Sequence, residues 1–173
     1  MTNQVFDILL VEDNPGDARL IEEYLAEAGG ANFRCRNVPR LSQAFEELKQ
    51  RKYDIVLLDL SLPDSSGYDT FHRLQEKARR LPVIVLTGLD DEELGVRTVN
   101  EGAQDYLLKG QVDPPLLVRA IRYAIERKKA GEKLARYTEQ LRVKNEQIES
   151  ELQMAREIQR ALLPHSYPTF PPG

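Results

Sequence analysis

Through the first 110 residues, short apolar runs alternate with stretches whose apolar side chains recur at threes and fours. The runs are Val5–Val11, Asn32–Val38, Asp54–Leu60, Pro82–Thr87 and Gln104–Lys109. Between them lie Pro15–Ala28, Leu41–Arg51, Gly67–Arg79 and Asp90–Glu101, with apolar sets such as Leu20, Tyr24 and Ala28, or Leu41, Ala44, Phe45 and Leu48. Strand-length runs alternating with helical patterns predict βαβ units, hence an α/β fold with a doubly wound, five-stranded parallel sheet. Ile55–Leu58 and Val83–Leu86 are continuously apolar, as central strands buried on both faces must be. Phe33-Arg34-Cys35-Arg36 alternates apolar and charged residues, which marks an edge strand with Cys35 turned to the core.

Boundary residues agree with this pattern. Asn14-Pro15 opens a helix with a capping side chain and a first-turn proline, and Gly29-Gly30 closes it. Asp113-Pro114 opens another helix that does not obviously stop before Leu163. Gly131 is its one interruption, costing about 1 kcal/mol without breaking it. Pro164, Pro168, Pro171 and Pro172 then end the helix. Three parts are expected: a folded domain over 1–127, a helical linker over 128–163 and a proline-rich stub over 164–173.

Composition narrows the classes. Of 173 residues, 41% are hydrophobic and 30% charged, so part of the chain is expected to be extended or polar on most sides. Its apolar runs are too short to span a bilayer and MTNQ is not a signal-peptide start, so no membrane partner is expected. One cysteine excludes an internal disulfide and suits the cytoplasm; with only His72 and His165 beside it, a Cys/His zinc site is nearly excluded. The net charge of −4 is uneven: residues 1–115 carry 13 basic and 21 acidic side chains, residues 116–173 carry 11 and 7. Because the tail interleaves both signs, a solvated helical face is expected there, with no nucleic-acid partner.

In an open parallel sheet, ligands sit beyond the carboxyl ends of the strands. Those ends read Val11-Glu12-Asp13, Leu58-Asp59, Leu86-Thr87 and Leu108-Lys109. Three acids, a hydroxyl and an amine are thus predicted to converge on one edge. Clustered carboxylates repel one another and persist only with a compensating cation. Hard oxygen ligands of this kind suit Mg²⁺. With Lys109 and Thr87 added, the set suits transfer of a phosphoryl group onto a carboxylate, which depends mainly on positioning and charge neutralisation.

LLVEDNPGDARL, IVLLDLSLPDSSGYD, VIVLTG and DYLLKG occur in that order, and with them residues 5–127 resemble the receiver domain of bacterial two-component response regulators. The resemblance implies the flavodoxin-like strand order 2-1-3-4-5. It also implies that Asp59 accepts a phosphoryl group from a histidine kinase, and that Thr87 and Lys109 contact that group. Mg²⁺ would be held by Asp13 and Asp59, by Glu12 through water, and by the backbone carbonyl of Ser61. Tyr106 would be the switch aromatic, swinging inward as Thr87 is drawn toward phosphate; alone it reads as a half-buried sheet aromatic. The chain departs from the family pattern in having Glu-Asp where Asp-Asp is also common, and Gly110 where many receivers have a cis-proline. Gly67 and the Leu62-Pro63 turn shape a loop, and His72 is expected to be exposed on a helix.

In the tail, Leu134, Leu141, Ile148, Ala155 and Leu162 recur every seven residues, with Thr138, Asn145, Leu152 and Gln159 offset by four. Taken as d and a positions, these give four heptads of a weak coiled coil. Asn145 at an a position favours a parallel, in-register homodimer, and Lys144–Glu149 and Glu151–Arg156 would be attractive g–e′ pairs. The dimer contacts would come from Leu134, Leu141, Asn145, Ile148, Leu152, Ala155 and Leu162; a single amphipathic helix docked on another domain is the alternative. Residues 151–164, ELQMAREIQRALLP, followed by Pro168 and Pro171-Pro172-Gly173, are similar to the segment that precedes the catalytic domain of SpoIIE-like PP2C (PPM) serine/threonine phosphatases. That similarity implies a regulatory fragment, not itself an enzyme, whose output is such a phosphatase. Two other readings stay open: a constitutive dimerisation scaffold, and a receiver controlling a different output domain.

Overall fold

The computed structural model describes residues 5–27, 32–88 and 91–162. In chain order the elements are β1 (Val5–Val11), α1 (Pro15–Glu27), β2 (Asn32–Val38), α2 (Leu41–Gln50), β3 (Ile55–Asp59), β4 (Ser61–Leu62), β5 (Ser65–Ser66), α3 (Tyr68–Lys77), β6 (Val83–Thr87), α4 (Glu92–Asn100), β7 (Asp105–Leu108) and α5 (Pro114–Leu162). Five strands form one sheet in the order β2-β1-β3-β6-β7. All its pairings are parallel. This is the predicted order 2-1-3-4-5, with a small antiparallel hairpin, β4–β5, inserted after β3. Strands of two residues are too short to show any periodicity, which is why the pattern missed them.

The pleat sends successive side chains to opposite faces and so divides the core in two. Ile8, Leu10, Ile55, Leu57, Ile84 and Leu86 pack with Ala18, Ile21 and Leu25 of α1 and with Leu117, Ile121 and Ile125 of α5. Leu9, Val11, Val56, Leu58, Val83 and Val85 face the other way, against Leu41 and Ala44 of α2 and Phe71 and Leu74 of α3. Every residue of β3 and β6 is buried, as their continuous apolar runs require. β2 lies at the sheet edge, its Arg34 and Arg36 paired with Asp7 and Glu47 at 3.0 and 3.2 Å. Half-buried Cys35 packs against the α1–α5 side, and burial, with Glu22 nearby, pushes its thiol up to about 12.

The stripe expected on α1 was misplaced. Leu20 is exposed and Tyr24 half-buried, while Ala18, Ile21 and Leu25 are the buried set; Ala28 lies outside the described residues. Steps of four advance about 40° around a helix each time, so a 20–24–28 row walks off the core face. Alternating steps of three and four keep residues 18, 21 and 25 on one line.

Caps fix three helix starts. Asn14 Oδ1 accepts from the backbone N–H groups of Gly16 and Asp17, at 2.8 and 3.3 Å, and Asp113 Oδ1 accepts from Leu116 at 2.8 Å. For α2 the cap comes from elsewhere in the chain. Arg40 offers no side-chain bond, and the carboxylate of Asp64, between β4 and β5, accepts from the Leu41 and Ser42 N–H groups at 2.9 Å each. Gly67 closes the hairpin with φ +63°, a left-handed conformation that favours glycine, and its N–H donates to the Leu60 carbonyl at 2.7 Å. His72 is exposed on α3. Gly29-Gly30 falls outside the described residues.

The chain divides into two units, Met1–Ala130 and Gly131–Gly173. α5 buries Leu117, Ala120, Ile121, Ala124 and Ile125 in the first, whereas residues 129–162 are exposed. No helix among the described residues is long and apolar enough to cross a membrane. Pro164 and the later prolines lie outside the described residues.

Candidate functional site

Four parallel strands deliver their last residues to one rim. β1 ends at Val11, and the next residue, Glu12, is almost wholly buried, its N–H donating to the Val38 carbonyl at 3.0 Å. Asp13 beside it is exposed. Asp59 closes β3, 5% exposed. Thr87 closes β6, and Lys109 follows β7 with its N–H bonded to the Thr87 carbonyl at 2.9 Å. One carboxylate oxygen from each of Glu12, Asp13 and Asp59 lies within 4.8 Å of the other two.

One ammonium group holds this cluster together. Lys109 Nζ lies 2.6 Å from Glu12 Oε2, 2.9 Å from Asp59 Oδ2 and 3.0 Å from Asp17 Oδ2. The second oxygen of Asp59 accepts from the Ser61 N–H at 3.0 Å, and Glu12 Oε1 accepts from Asn14 N–H at 3.0 Å. Burial raises the Glu12 carboxyl to about 7, against the pull of Lys109 and the Asn14 bond, with repulsion from Asp59 adding to the rise. Burial works against the charge on Lys109, but its bonds to Glu12, Asp59 and Asp17 outweigh that and move it above the usual lysine range. Thr87 Oγ1 is buried and has no hydrogen-bond partner among the described residues. A buried hydroxyl in that position has a donor to spare for an incoming oxygen.

Tyr106 sits on β7 opposite Val85, and Thr87, two residues along β6, points to the same face of the sheet. Its half-buried ring packs into the α2–α3 side of the core, and its hydroxyl is 3.4 Å from Glu92 Oε1 on α4. The seven linker residues Leu134, Leu141, Asn145, Ile148, Leu152, Ala155 and Leu162 lie on α5, all exposed in the single chain.

The structure thus brings Glu12, Asp13, Asp59, Thr87, Lys109 and the Ser61 backbone to one rim. Asp17 is the site residue that sequence reasoning missed. It lies in the first turn of α1, where an acid is ordinary because it complements the helix dipole. The usable signal was topological, since a helix leaving β1 carries its first turn over the same rim.

Residues 8–122 match the family model described as the response regulator receiver domain. The chain is 34% identical over 102 residues to the transcriptional regulatory protein BasR of Escherichia coli, covering 59% of this chain and 45% of that one. It is 33% identical over 124 residues to the cell cycle response regulator CtrA of Brucella ovis, covering 72% and 51%. The chain therefore spans about half the length of these curated relatives. Among solved structures, a response regulator receiver domain protein from Clostridium thermocellum superposes with a TM-score of 0.63 at 27% identity, over 72% of this chain and 98% of its own. With the rim of acids and lysine on the same scaffold, the chain belongs to the response regulator receiver family.

Proposed function

We propose that this chain is a phosphorylation-activated switch in which Asp59 is the phosphoacceptor. The observation that carries the reading is the Lys109 ammonium bridging Asp59 and Glu12 at the rim where Thr87 ends β6. In the transfer, an Asp59 oxygen forms a bond to phosphorus while the bond from phosphorus to the donor, an imidazole nitrogen of a histidine kinase, breaks. Lys109 neutralises the developing charge and Thr87 donates to a phosphoryl oxygen. The oxygen-only donor set of Glu12, Asp13 and Asp59 fits Mg²⁺, with the Ser61 carbonyl as a further ligand. Bound there, Mg²⁺ would supply charge neutralisation for the phosphoryl oxygens. Asp13, exposed, is the carboxylate with the freest access, while Glu12 must give up its pairing to Lys109 to take part.

The change at Thr87 and Tyr106 would pass to α5, and through a parallel homodimeric coil made by residues 134–162 to a PP2C-type serine/threonine phosphatase. The exposure of Leu134, Leu141, Ile148, Leu152 and Leu162 at heptad spacing supports the coil. The test is intact mass after incubation with Mg²⁺ and acetyl phosphate. The wild type is expected to gain one phosphoryl group and Asp59→Asn none. Equal gain in both would remove Asp59 from the reaction.

A further inference from the structure

We propose that Gly95 fixes where the Tyr106 ring rests, and that through this ring it sets how readily the Asp59 pocket accepts a phosphoryl group. Gly95 is buried in the interior of α4 at an ordinary helical φ, so the backbone does not require glycine there. Glycine inside a helix costs about 1 kcal/mol relative to alanine, so some other contact must account for it. The contact is the ring: a Cβ at position 95 would lie 2.7 Å from Tyr106 Cδ2, 2.9 Å from Cγ and 3.2 Å from Cβ. Tyr106 therefore rests against bare helix backbone at this point. Its hydroxyl reaches Glu92 one turn earlier, and the Gly95 carbonyl is held by the Thr98 hydroxyl at 2.7 Å.

The three distances differ in what can relieve them. Turning the ring about its Cα–Cβ bond carries Cγ and Cδ2 away from α4. Tyr106 Cβ stays, but at 3.2 Å it needs only a few tenths of an ångström. A methyl group at 95 thus evicts the ring without displacing the strand. On the same sheet face stands Thr87, whose hydroxyl has no partner among the described residues. This inference rests on the proposed coupling of Thr87 and Tyr106. If a more deeply buried ring accompanies phosphorylation, a residue that denies the ring its half-buried seat against α4 favours the phosphorylated form before any phosphate arrives.

The experiment is a double-mutant cycle read as the affinity for beryllofluoride in saturating Mg²⁺, by calorimetry, on the full chain. Gly95→Ala is expected to bind roughly fivefold tighter than wild type or better. With Tyr106→Ala already present, adding Gly95→Ala should change affinity by less than about twofold, because the ring it acts through is gone. In ligand-free Gly95→Ala, the ¹³C shifts of Tyr106 should move toward those of the beryllofluoride-bound wild type. Unchanged or weaker binding by Gly95→Ala, or an equal gain in both backgrounds, overturns the proposal. So does a Gly95→Ala chain that fails to fold while the double variant folds, since the ring would then have no second seat. Asp59→Asn separates the two ideas. If it binds beryllofluoride as wild type does, the phosphoacceptor reading fails; if binding needs Asp59 and Gly95→Ala does nothing, only the role of Gly95 fails.

Discussion

Glu12 is held in a position that a carboxylate enters at a cost. Its oxygens are buried between Asp59 and Lys109, and burial lifts its carboxyl from 4.5 to about 7. Between those values the folded chain keeps a proton that the unfolded chain has released, so stability falls as pH rises through that window. Lys109, shifted upward, stays charged throughout and adds nothing to the slope. Denaturant unfolding without Mg²⁺ between pH 5 and pH 7.5 should therefore show wild type losing stability relative to Glu12→Gln, at no more than about 1.4 kcal/mol per pH unit. A flat difference between the two would contradict the burial argument. Residues of this kind were legible in the sequence because each follows an apolar run: Glu12 and Asp13 after Val11, Asp59 after Leu58, Thr87 after Leu86, Lys109 after Leu108. Asp17 and Gly95 were not legible. One looks like an ordinary first-turn acid, the other like a helix defect, and each acquires its meaning only from a side chain on another element.

Among the elements, α2 depends on a residue 23 positions away from the amide it caps. Asp64 accepts from Leu41 and Ser42 and thereby satisfies two N–H groups that Arg40 leaves open. Those bonds hold its carboxyl below the usual range in spite of partial burial. Asp64→Ala should lower stability by about 1–2 kcal/mol, the cost of losing a good cap. Amide exchange at Leu41 and Ser42 should quicken, with the β3 amides far less affected. The hairpin that carries Asp64 starts two residues after Asp59, so its anchoring bears on the pocket as well as on α2. This cap lay beyond periodicity analysis because it is a contact between elements, made by a turn whose flanking strands are two residues each. Central and edge positions, by contrast, were recoverable, since continuous apolar runs mark β3 and β6 as central and Arg34 and Arg36 mark β2 as an edge; the full strand order came only with the family resemblance.

For the whole molecule, the proposed coil turns a phosphorylation into a change of association. Polar residues at three of the four a positions keep that association marginal, and only alternatives within a few kcal/mol can be biased by one modification. Sedimentation of wild type should reveal a dimer that Leu141→Lys with Ile148→Lys abolishes, because both positions, exposed in the single chain, would be buried in the seam and would carry unpaired charges there. Asn145→Val should tighten the same dimer and blunt its response to beryllofluoride. A wild type that stays monomeric at all concentrations would remove the coil from the mechanism. Cys35, half-buried on β2, packs against the α1–α5 side of the core. With its thiol pushed up to about 12, only about one molecule in 10⁵ carries the reactive thiolate at neutral pH. Thiol-directed reagents therefore find little thiolate to attack in the folded chain, and a cysteine introduced on its surface would be the one they label.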